Sequence, residues 1–144
     1  MKKVVVIAFG AWDMLHFGHI KFLESAKKFG DTLIVGVQSD ESYFAENQEY
    51  PFYDDEVRRF MVSSLKCVDM AIEYKKLAYI PFLKNFDVDV MVISDEHTEE
   101  RYSEAEKYMK DNGKRIVRLS RIPEISTSII KGRLTGMKEG AKDE

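Results

Sequence analysis

The sequence predicts an α/β fold: a single Rossmann-like domain with a doubly wound, mainly parallel five-stranded sheet and helices on both faces. Short runs rich in valine and isoleucine alternate with longer amphipathic stretches, as they do in βαβ units. The short runs show little polar alternation, which is typical of strands covered on both faces. A chain of 144 residues suits one compact domain. We assign residues 1–134 to this domain and residues 135–144 to a polar tail.

The strands are predicted from apolar runs and the helices from apolar spacing and end signals. The predicted strands are Lys3–Phe9, Thr32–Val37, Val68–Ile72, Val88–Ile93 and Arg115–Leu119. The first helix is predicted over His16–Phe29, with Gly30 as its stop. The next is predicted over Asp54–Leu65, with Val57, Phe60, Met61 and Leu65 buried.

Two further helices are predicted in the second half of the chain. One is predicted over Thr98–Asp111, with Tyr102, Ala105 and Met109 on its buried face, and it ends before Asn112-Gly113. The last helix begins at Ser126, with Ile129, Ile130 and Leu134 facing inward. Tyr79–Lys84 is a weaker helix prediction because of Pro81. The segment Ala45–Tyr53 has no clear period and contains Pro51, so we expect a loop that closes over a ligand.

Composition excludes several classes of function. The net charge of −3 argues against a nucleic-acid surface, which would usually show a clustered basic face. Cys67 is the only cysteine, so no intrachain disulfide forms, and we expect it to be a small buried side chain. The apolar start is too short for a signal peptide, and no stretch approaches the roughly 20 apolar residues of a membrane span. We predict a cytoplasmic protein without a membrane partner.

The strongest chemical signal is the first crossover, residues 9–19, which leaves a buried strand and opens a helix. His16 and His19 are three residues apart, so they share a face of the first helical turn. Free N–H groups and the helix dipole favour a phosphate there, and Gly18 leaves room for its close approach. On spacing alone, two such histidines are more often surface or capping residues than catalytic ones. A zinc pair is a weaker alternative, since no cysteine or acid stands at ligand spacing and His97 is the only other histidine.

This segment resembles the HxGH signature of the nucleotidyltransferase superfamily. Within it, the chain is most similar to the cytidylyltransferases for glycerol 3-phosphate, phosphocholine and phosphoethanolamine, over about residues 3 to 134. Residues 29–41 resemble the family's "GD-x-LIVGV-x-SDE" strand, and residues 121–128 resemble its "RTEGISTS" motif. Arg58 and the Lys66-Cys67-Val68-Asp69 turn also fit the family pattern.

The resemblance implies transfer of CMP from CTP to a phosphorylated small alcohol, amino alcohol or sugar, with release of pyrophosphate. It implies Mg²⁺ held mainly by the triphosphate, and a homodimer. The implied catalytic residues are His16, His19 and Arg121. The implied nucleotide-binding residues are Phe9, Gly10, Ala11, Trp12, Asp13, Gly18, Asp40, Arg58, Lys66, Asp95, Ile125, Ser126 and Thr127.

Several of these residues also have an independent interpretation. An arginine such as Arg121 grips phosphate oxygens bidentately, although a surface salt bridge would also explain it. Ser126 and Thr127 can cap a helix with or without a ligand. Arg58 opposes the dipole of its helix, which favours a ligand or a partner. The resemblance implies that Asp13 lies near the site and orients a cation or a histidine. It also implies that Asp40 and Asp95 lie near the base and ribose of the nucleotide, although both would serve equally as ordinary turn residues.

The chain departs from the family pattern at four places. Ala11 replaces a threonine, Lys66 replaces an arginine, and residues 122–124 differ from the family's sequence. The loop Ala45–Tyr53 has no lysine, where the family supplies at least one to the phosphates. These departures fit either a loop re-tuned so that Asn47 and Gln48 hydrogen-bond a more polar acceptor, or a nucleotide-binding module with weakened catalysis. An adenylyltransferase of the same superfamily that uses ATP is a further alternative.

Overall fold

A single parallel sheet organises the chain, and the predicted fold class is confirmed. The computed structural model describes residues 2–75, 78–95, 99–120 and 132–135. Its strands are β1 (Val5–Gly10), β2 (Thr32–Gln38), β3 (Met70–Tyr74), β4 (Val90–Ser94) and β5 (Arg115–Leu119). They lie in the order β3-β2-β1-β4-β5, and every neighbouring pair is parallel.

Helices connect the strands, as the alternating pattern predicts. They are α1 (Phe17–Lys27), α2 (Asp40–Asn47), α3 (Asp55–Ser63), α4 (Ile80–Asn85) and α5 (Ser103–Asp111). A 3-10 turn over Glu99–Tyr102 precedes α5. Pro81 lies in the first turn of α4, where its missing N–H costs no helical hydrogen bond. No described helix is both long enough and apolar enough to cross a membrane.

The core has two layers, one on each face of the sheet. Because side chains alternate along a strand, Val6 and Ala8 of β1 belong to one layer and Ile7 and Phe9 to the other. The first layer includes side chains of α1 and α3, and the second includes side chains of α4 and α5. The predicted cover of helices on both faces is therefore confirmed.

This topology creates a crevice at the carboxyl end of β1. The chain leaves β1 towards β2 on one side, whereas β4 and β5 occupy the other side. Such a switch point in a parallel sheet is the usual ligand site of a doubly wound fold. The first crossover begins here, so the topology places it at the crevice.

The prediction of a loop over Ala45–Tyr53 is wrong at its start. Ala45–Asn47 belong to α2, and the left-handed Gln48 (φ 57°) ends this helix. Ser39 caps α2, because its hydroxyl accepts a hydrogen bond from the Ser42 N–H at 3.2 Å. A serine followed by two acids is a helix-start signal, so the sequence did contain a sign of α2.

The predicted buried face of α3 is wrong for Val57 and Phe60, whereas Met61 and Leu65 are half-buried and Leu65 packs against the core. Phe60 is 72% exposed and Val57 is 38% exposed, whereas Arg58 and Val62 are buried. Positions 58 and 62 are four residues apart, so they form the stripe that faces the sheet. Leu134, predicted to face inward, is 51% exposed. The predicted helix start at Ser126, with Ile129 and Ile130, lies outside the described residues.

Candidate active site

His16 begins α1 as its capping residue. The His16 Nδ1 accepts hydrogen bonds from the backbone N–H groups of Gly18 at 3.0 Å and His19 at 3.4 Å. In return, the His16 N–H donates to the Nδ1 of His19 at 3.3 Å. This is a capping box in which imidazoles take the places of the usual hydroxyl and carboxylate. Capping and ligand binding, which the spacing left as alternatives, are thus compatible.

The capping bonds determine where each neutral imidazole carries its hydrogen. A ring nitrogen that accepts a hydrogen bond carries no hydrogen, so Nε2 is the protonated nitrogen in both rings. The two rings stack with centroids 3.8 Å apart and an interplanar angle of 22°. His16 is buried and His19 is half-buried. The helix start therefore holds two stacked imidazole rings, each with its hydrogen on Nε2 when neutral.

Trp12 supports the histidine pair from the side. Its indole N–H donates to the Gly36 carbonyl at 2.9 Å, and its ring meets the His19 ring edge-on at 5.6 Å. Trp12 and Met14 have positive φ angles of 55° and 50°, which cost energy in residues with a β-carbon. A β-carbon at Gly10 would lie 2.9 Å from the indole, so only glycine fits beside it. Trp12 is thus a positioning residue for His19.

Asp13 ties the first crossover to the segment after α2. Its carboxylate accepts from the backbone N–H groups of Phe52 at 2.7 Å and Tyr53 at 3.1 Å. Asp13 is only 4% exposed, and its two hydrogen bonds hold this segment in place. Its described hydrogen bonds give it a structural role that sequence reasoning did not identify.

Arg58 is fully buried and joins three segments of the crevice. Its Nη1 donates to the Ala11 carbonyl at 2.9 Å, and its Nε donates to the Tyr53 carbonyl at 2.8 Å. Its Nη2 forms an ion pair with Asp40 at 2.7 Å. These partners explain the cation in the first turn of α3. The structure gives Arg58 and Asp40 a shared positioning role, and a nucleotide contact for either residue stays a prediction.

A small cleft of about 110 Å³ lies between α1 and the end of β5. Its lining residues are Gly18, Lys21, Phe22 and Ser25 from α1, Leu119 from β5, and Ser120, which follows β5. At its rim, the Ser120 hydroxyl donates to the Asp95 carboxylate at 2.9 Å. The structure therefore brings Gly18 and Asp95 to one region. Lys21 and Ser120 are cleft residues that sequence reasoning missed.

Other predicted site residues lie elsewhere. Lys66 is exposed in the turn that enters β3, at the amino end of the strands, so it is not among the residues brought together here. The Phe9 side chain packs in the core layer opposite to Trp12. Arg121, Ile125, Ser126 and Thr127 lie outside the described residues.

The described residues contain no group of three or more histidine, cysteine, aspartate or glutamate side chains placed to hold a metal. Both Asp13 carboxylate oxygens already accept backbone hydrogen bonds. The donor set in this part of the chain therefore fits a Mg²⁺ ion only where phosphate oxygens supply most of its ligands.

Comparison with known proteins identifies the family of this site. A family model described as cytidylyltransferase-like matches residues 7–133. The glycerol-3-phosphate cytidylyltransferase of Staphylococcus aureus is 35% identical over 137 residues, covering 94% of this chain and 97% of that protein. The FAD synthase of Aciduliprofundum boonei is 35% identical over 119 residues, covering 82% of this chain and 79% of that protein.

A solved structure agrees with these sequence matches. The lipopolysaccharide core biosynthesis protein of Thermoplasma volcanium aligns with a TM-score of 0.72 and 31% sequence identity. The alignment covers 83% of this chain and 98% of that one. Because the family model matches most of its length, the chain belongs to the cytidylyltransferase-like family of nucleotidyltransferases.

Proposed function

We propose that this protein transfers CMP from CTP to a phosphorylated small alcohol, amino alcohol or sugar. The observation that carries the proposal is the histidine pair at the start of α1, with both Nδ1 atoms held by backbone N–H groups. Two Nε2–H donors in fixed positions suit the charge that develops on a transferred phosphoryl group. The similarity to a glycerol-3-phosphate cytidylyltransferase over nearly the whole chain supports the same reaction.

The proposed reaction is a direct in-line transfer. An oxygen of the acceptor's phosphate attacks the α-phosphorus of CTP and forms a new P–O bond. The bond from this phosphorus to the oxygen that bridges to the β-phosphate breaks, and its electron pair leaves with pyrophosphate. His16 and His19 donate hydrogen bonds to the oxygens that gain charge. Arg121, Ser126 and Thr127 are proposed to hold the leaving phosphates.

The remaining site residues act by position. Trp12 holds the His19 ring, while Asp13 and Arg58 hold the backbone around the crevice. Mg²⁺, when bound with the triphosphate, would neutralise charge on the leaving group. Phosphoryl transfer depends mainly on how the reacting groups are positioned. The ion pair of Arg58 with Asp40 would therefore contribute to the rate by holding the backbone around the crevice.

A second candidate, transfer of AMP from ATP, is favoured by one comparison. The FAD synthase relative matches this chain at the same identity as the cytidylyltransferase, although over a smaller share of it. We favour CTP because the cytidylyltransferase match covers 94% of the chain.

The choice of nucleotide is tested by pyrophosphate release with CTP or ATP against phosphorylated polyols, amino alcohols and sugars. We expect kcat/KM for CTP to exceed that for ATP by at least about tenfold, a difference of about 1.4 kcal/mol in transition-state binding. A preference for ATP would support the second candidate. CTP binding without pyrophosphate release over the whole panel would contradict both and favour a nucleotide-binding module.

The homodimer and the cytoplasmic location predicted from the sequence remain proposals. Val57 and Phe60 give α3 an exposed apolar stripe of the kind that subunit interfaces cover. Sedimentation of the full chain at micromolar concentration distinguishes a dimer from a monomer.

A further inference from the structure

Lys21 lines the cleft between α1 and the end of β5. The residues that α1 contributes to this cleft lie on one face of the helix: Gly18, Lys21, Phe22 and Ser25. Gly18 also belongs to the capping turn, since its N–H donates to the His16 Nδ1 at 3.0 Å. The cleft therefore begins at the same turn of α1 as the histidine pair.

The Lys21 ammonium lies close to the start of the helix. Its Nζ is 5.7 Å from the centroid of the Phe17 ring, and Phe17 is the first residue of α1. Long side chains on a helix point back towards its N-terminus, which accounts for this position. The positive end of the helix dipole lies at the same place. An anion at the start of α1 would therefore meet the ammonium, the dipole and the histidine pair together.

Lys21 is able to change its partner. Its ammonium lies 3.3 Å from the carboxylate of Glu24, three residues further along the helix. The two side chains are 51% and 49% exposed, and exposed pairs of this kind contribute little to stability. Lys21 can therefore exchange Glu24 for a more strongly charged ligand at little cost to the fold.

The other side of the crevice is poorly suited to a triphosphate. Arg58 is buried and pairs with Asp40, and Arg101 binds both carboxylate oxygens of Glu46. The segment that follows β2, residues 40–56, carries several acids and no lysine or arginine. This acidic segment would repel a polyanion, so the field in the crevice favours the α1 side.

The β5 side of the cleft also disfavours an anion. Ser120 lies there, and its hydroxyl donates to the Asp95 carboxylate at 2.9 Å. Leu119 adds an apolar side chain to the same wall. A carboxylate beside this wall repels phosphate oxygens. Phosphates at the mouth of the cleft would therefore lie against α1, where Lys21 supplies the positive charge.

We propose that Lys21 binds the β- and γ-phosphates of CTP. The histidine pair is proposed to contact the α-phosphate, so the ammonium beside it is placed for the phosphates that follow. A lysine binds phosphate as a point charge on a flexible stem, which suits a half-exposed side chain. Its charge would offset the charge that builds on the leaving pyrophosphate. This inference rests on the proposed function and adds a cation to the residues proposed to hold the leaving phosphates.

Calorimetric titration of the full chain with CTP, and with CMP, tests the role of Lys21. CMP carries the α-phosphate alone, so a residue that binds the β- and γ-phosphates affects only CTP. We expect Lys21→Gln to raise the Kd for CTP about tenfold, since the lost hydrogen bond is charge-assisted but open to solvent. The Kd for CMP should stay within about twofold. A Kd for CMP that rises as much as that for CTP would overturn the assignment.

Lys28→Gln is the matched control. Lys28 caps the other end of α1, about 10 Å along the helix from Lys21. It removes the same charge from the same helix, so its effect on the Kd for CTP should stay within about twofold. Lys21→Arg should remain within about threefold of the wild type, because the charge is retained. Equal weakening in Lys21→Gln and Lys28→Gln would mean that net charge alone matters, which contradicts the proposal.

Glu24→Gln separates phosphate binding from a structural ion pair. If Lys21 acted only through its pair with Glu24, removal of either partner would weaken CTP binding alike. We expect instead that Glu24→Gln keeps or tightens CTP binding, because it releases the ammonium. Similar weakening in Glu24→Gln and Lys21→Gln, or an unchanged Kd for CTP in Lys21→Gln, would overturn the proposal.

Pyrophosphate release measured on the same enzymes distinguishes this inference from the proposed function. If CTP binding depends on Lys21 but no acceptor yields pyrophosphate, the reaction assignment fails and the binding assignment stands. If the wild type releases pyrophosphate and Lys21→Gln keeps both its Kd for CTP and its kcat/KM, the proposed function stands and this inference fails.

Discussion

A His16→Asn enzyme is expected to keep its fold and to lose a factor of about a hundred or more in kcat. The asparagine carbonyl can accept the hydrogen bonds that the N–H groups of Gly18 and His19 give to His16. The substitution removes the Nε2–H donor from the proposed phosphoryl site. Removing one preorganised donor of this kind costs roughly 10²–10³ in kcat. Single-turnover measurement of pyrophosphate release, with thermal unfolding alongside, checks both parts.

His16→Ala provides the contrast, because it removes the donor and the helix cap together. We expect the same loss in kcat, accompanied by a loss of about 1 kcal/mol in the free energy of unfolding. A His16→Asn enzyme with kcat within about threefold of wild type would contradict the catalytic role. Loss of stability without loss of kcat in His16→Ala would leave His16 as a cap alone.

Replacing Arg58 by methionine is expected to lower the free energy of unfolding by about 3 kcal/mol. Methionine fills much of the same space, but the Asp40 carboxylate and the carbonyls of Ala11 and Tyr53 lose their donor. Breaking a buried ion pair on one side costs roughly 3–5 kcal/mol. The Asp40 side chain is 27% exposed, which favours the lower end of this range. Urea unfolding of the full chain measures the change.

Arg59→Met is the matched control for this prediction. Arg59 lies on the same helix but is 37% exposed, and its nearest acid, Asp55, is 3.6 Å away. Exposed pairs of this kind contribute about 0–1 kcal/mol, so a small change is expected. Arg58→Lys should not restore stability, since an ammonium cannot make the same three directed bonds. Equal stability of Arg58→Met and Arg59→Met would contradict the structural role.

Much of the fold follows from local patterns that the sequence displays directly. The valine-rich runs predict the five strands to within about two residues, because strands buried on both faces need continuous apolar side chains. The Asn112-Gly113 stop is confirmed, since α5 ends at Asp111 and Gly113 has a φ of 67°. The position of the histidine pair also follows from the sequence pattern, because the crossover after a central strand starts at the carboxyl end of that strand.

The errors occur where a local pattern competes with tertiary contacts. The apolar stripe of α3 predicts that Phe60 is buried, but the sheet-facing side of this helix carries Arg58. A buried arginine is unfavourable unless its charge and its N–H groups are paired. The partners of Arg58 are 5, 18 and 47 residues away in the sequence, so local spacing does not reveal them. The ion pair of Glu46 with Arg101 joins residues 55 apart, so spacing in the sequence gives no sign of it.

A crystal structure of the protein with CTP tests the central claim most directly. We predict that the α-phosphate lies at the start of α1, with its oxygens within hydrogen-bond distance of Nε2 of His16 and His19. The Nδ1 atoms should keep their capping bonds to the helix backbone. CTP bound away from this helix start, or with its phosphates turned from both imidazoles, would contradict the proposed mechanism.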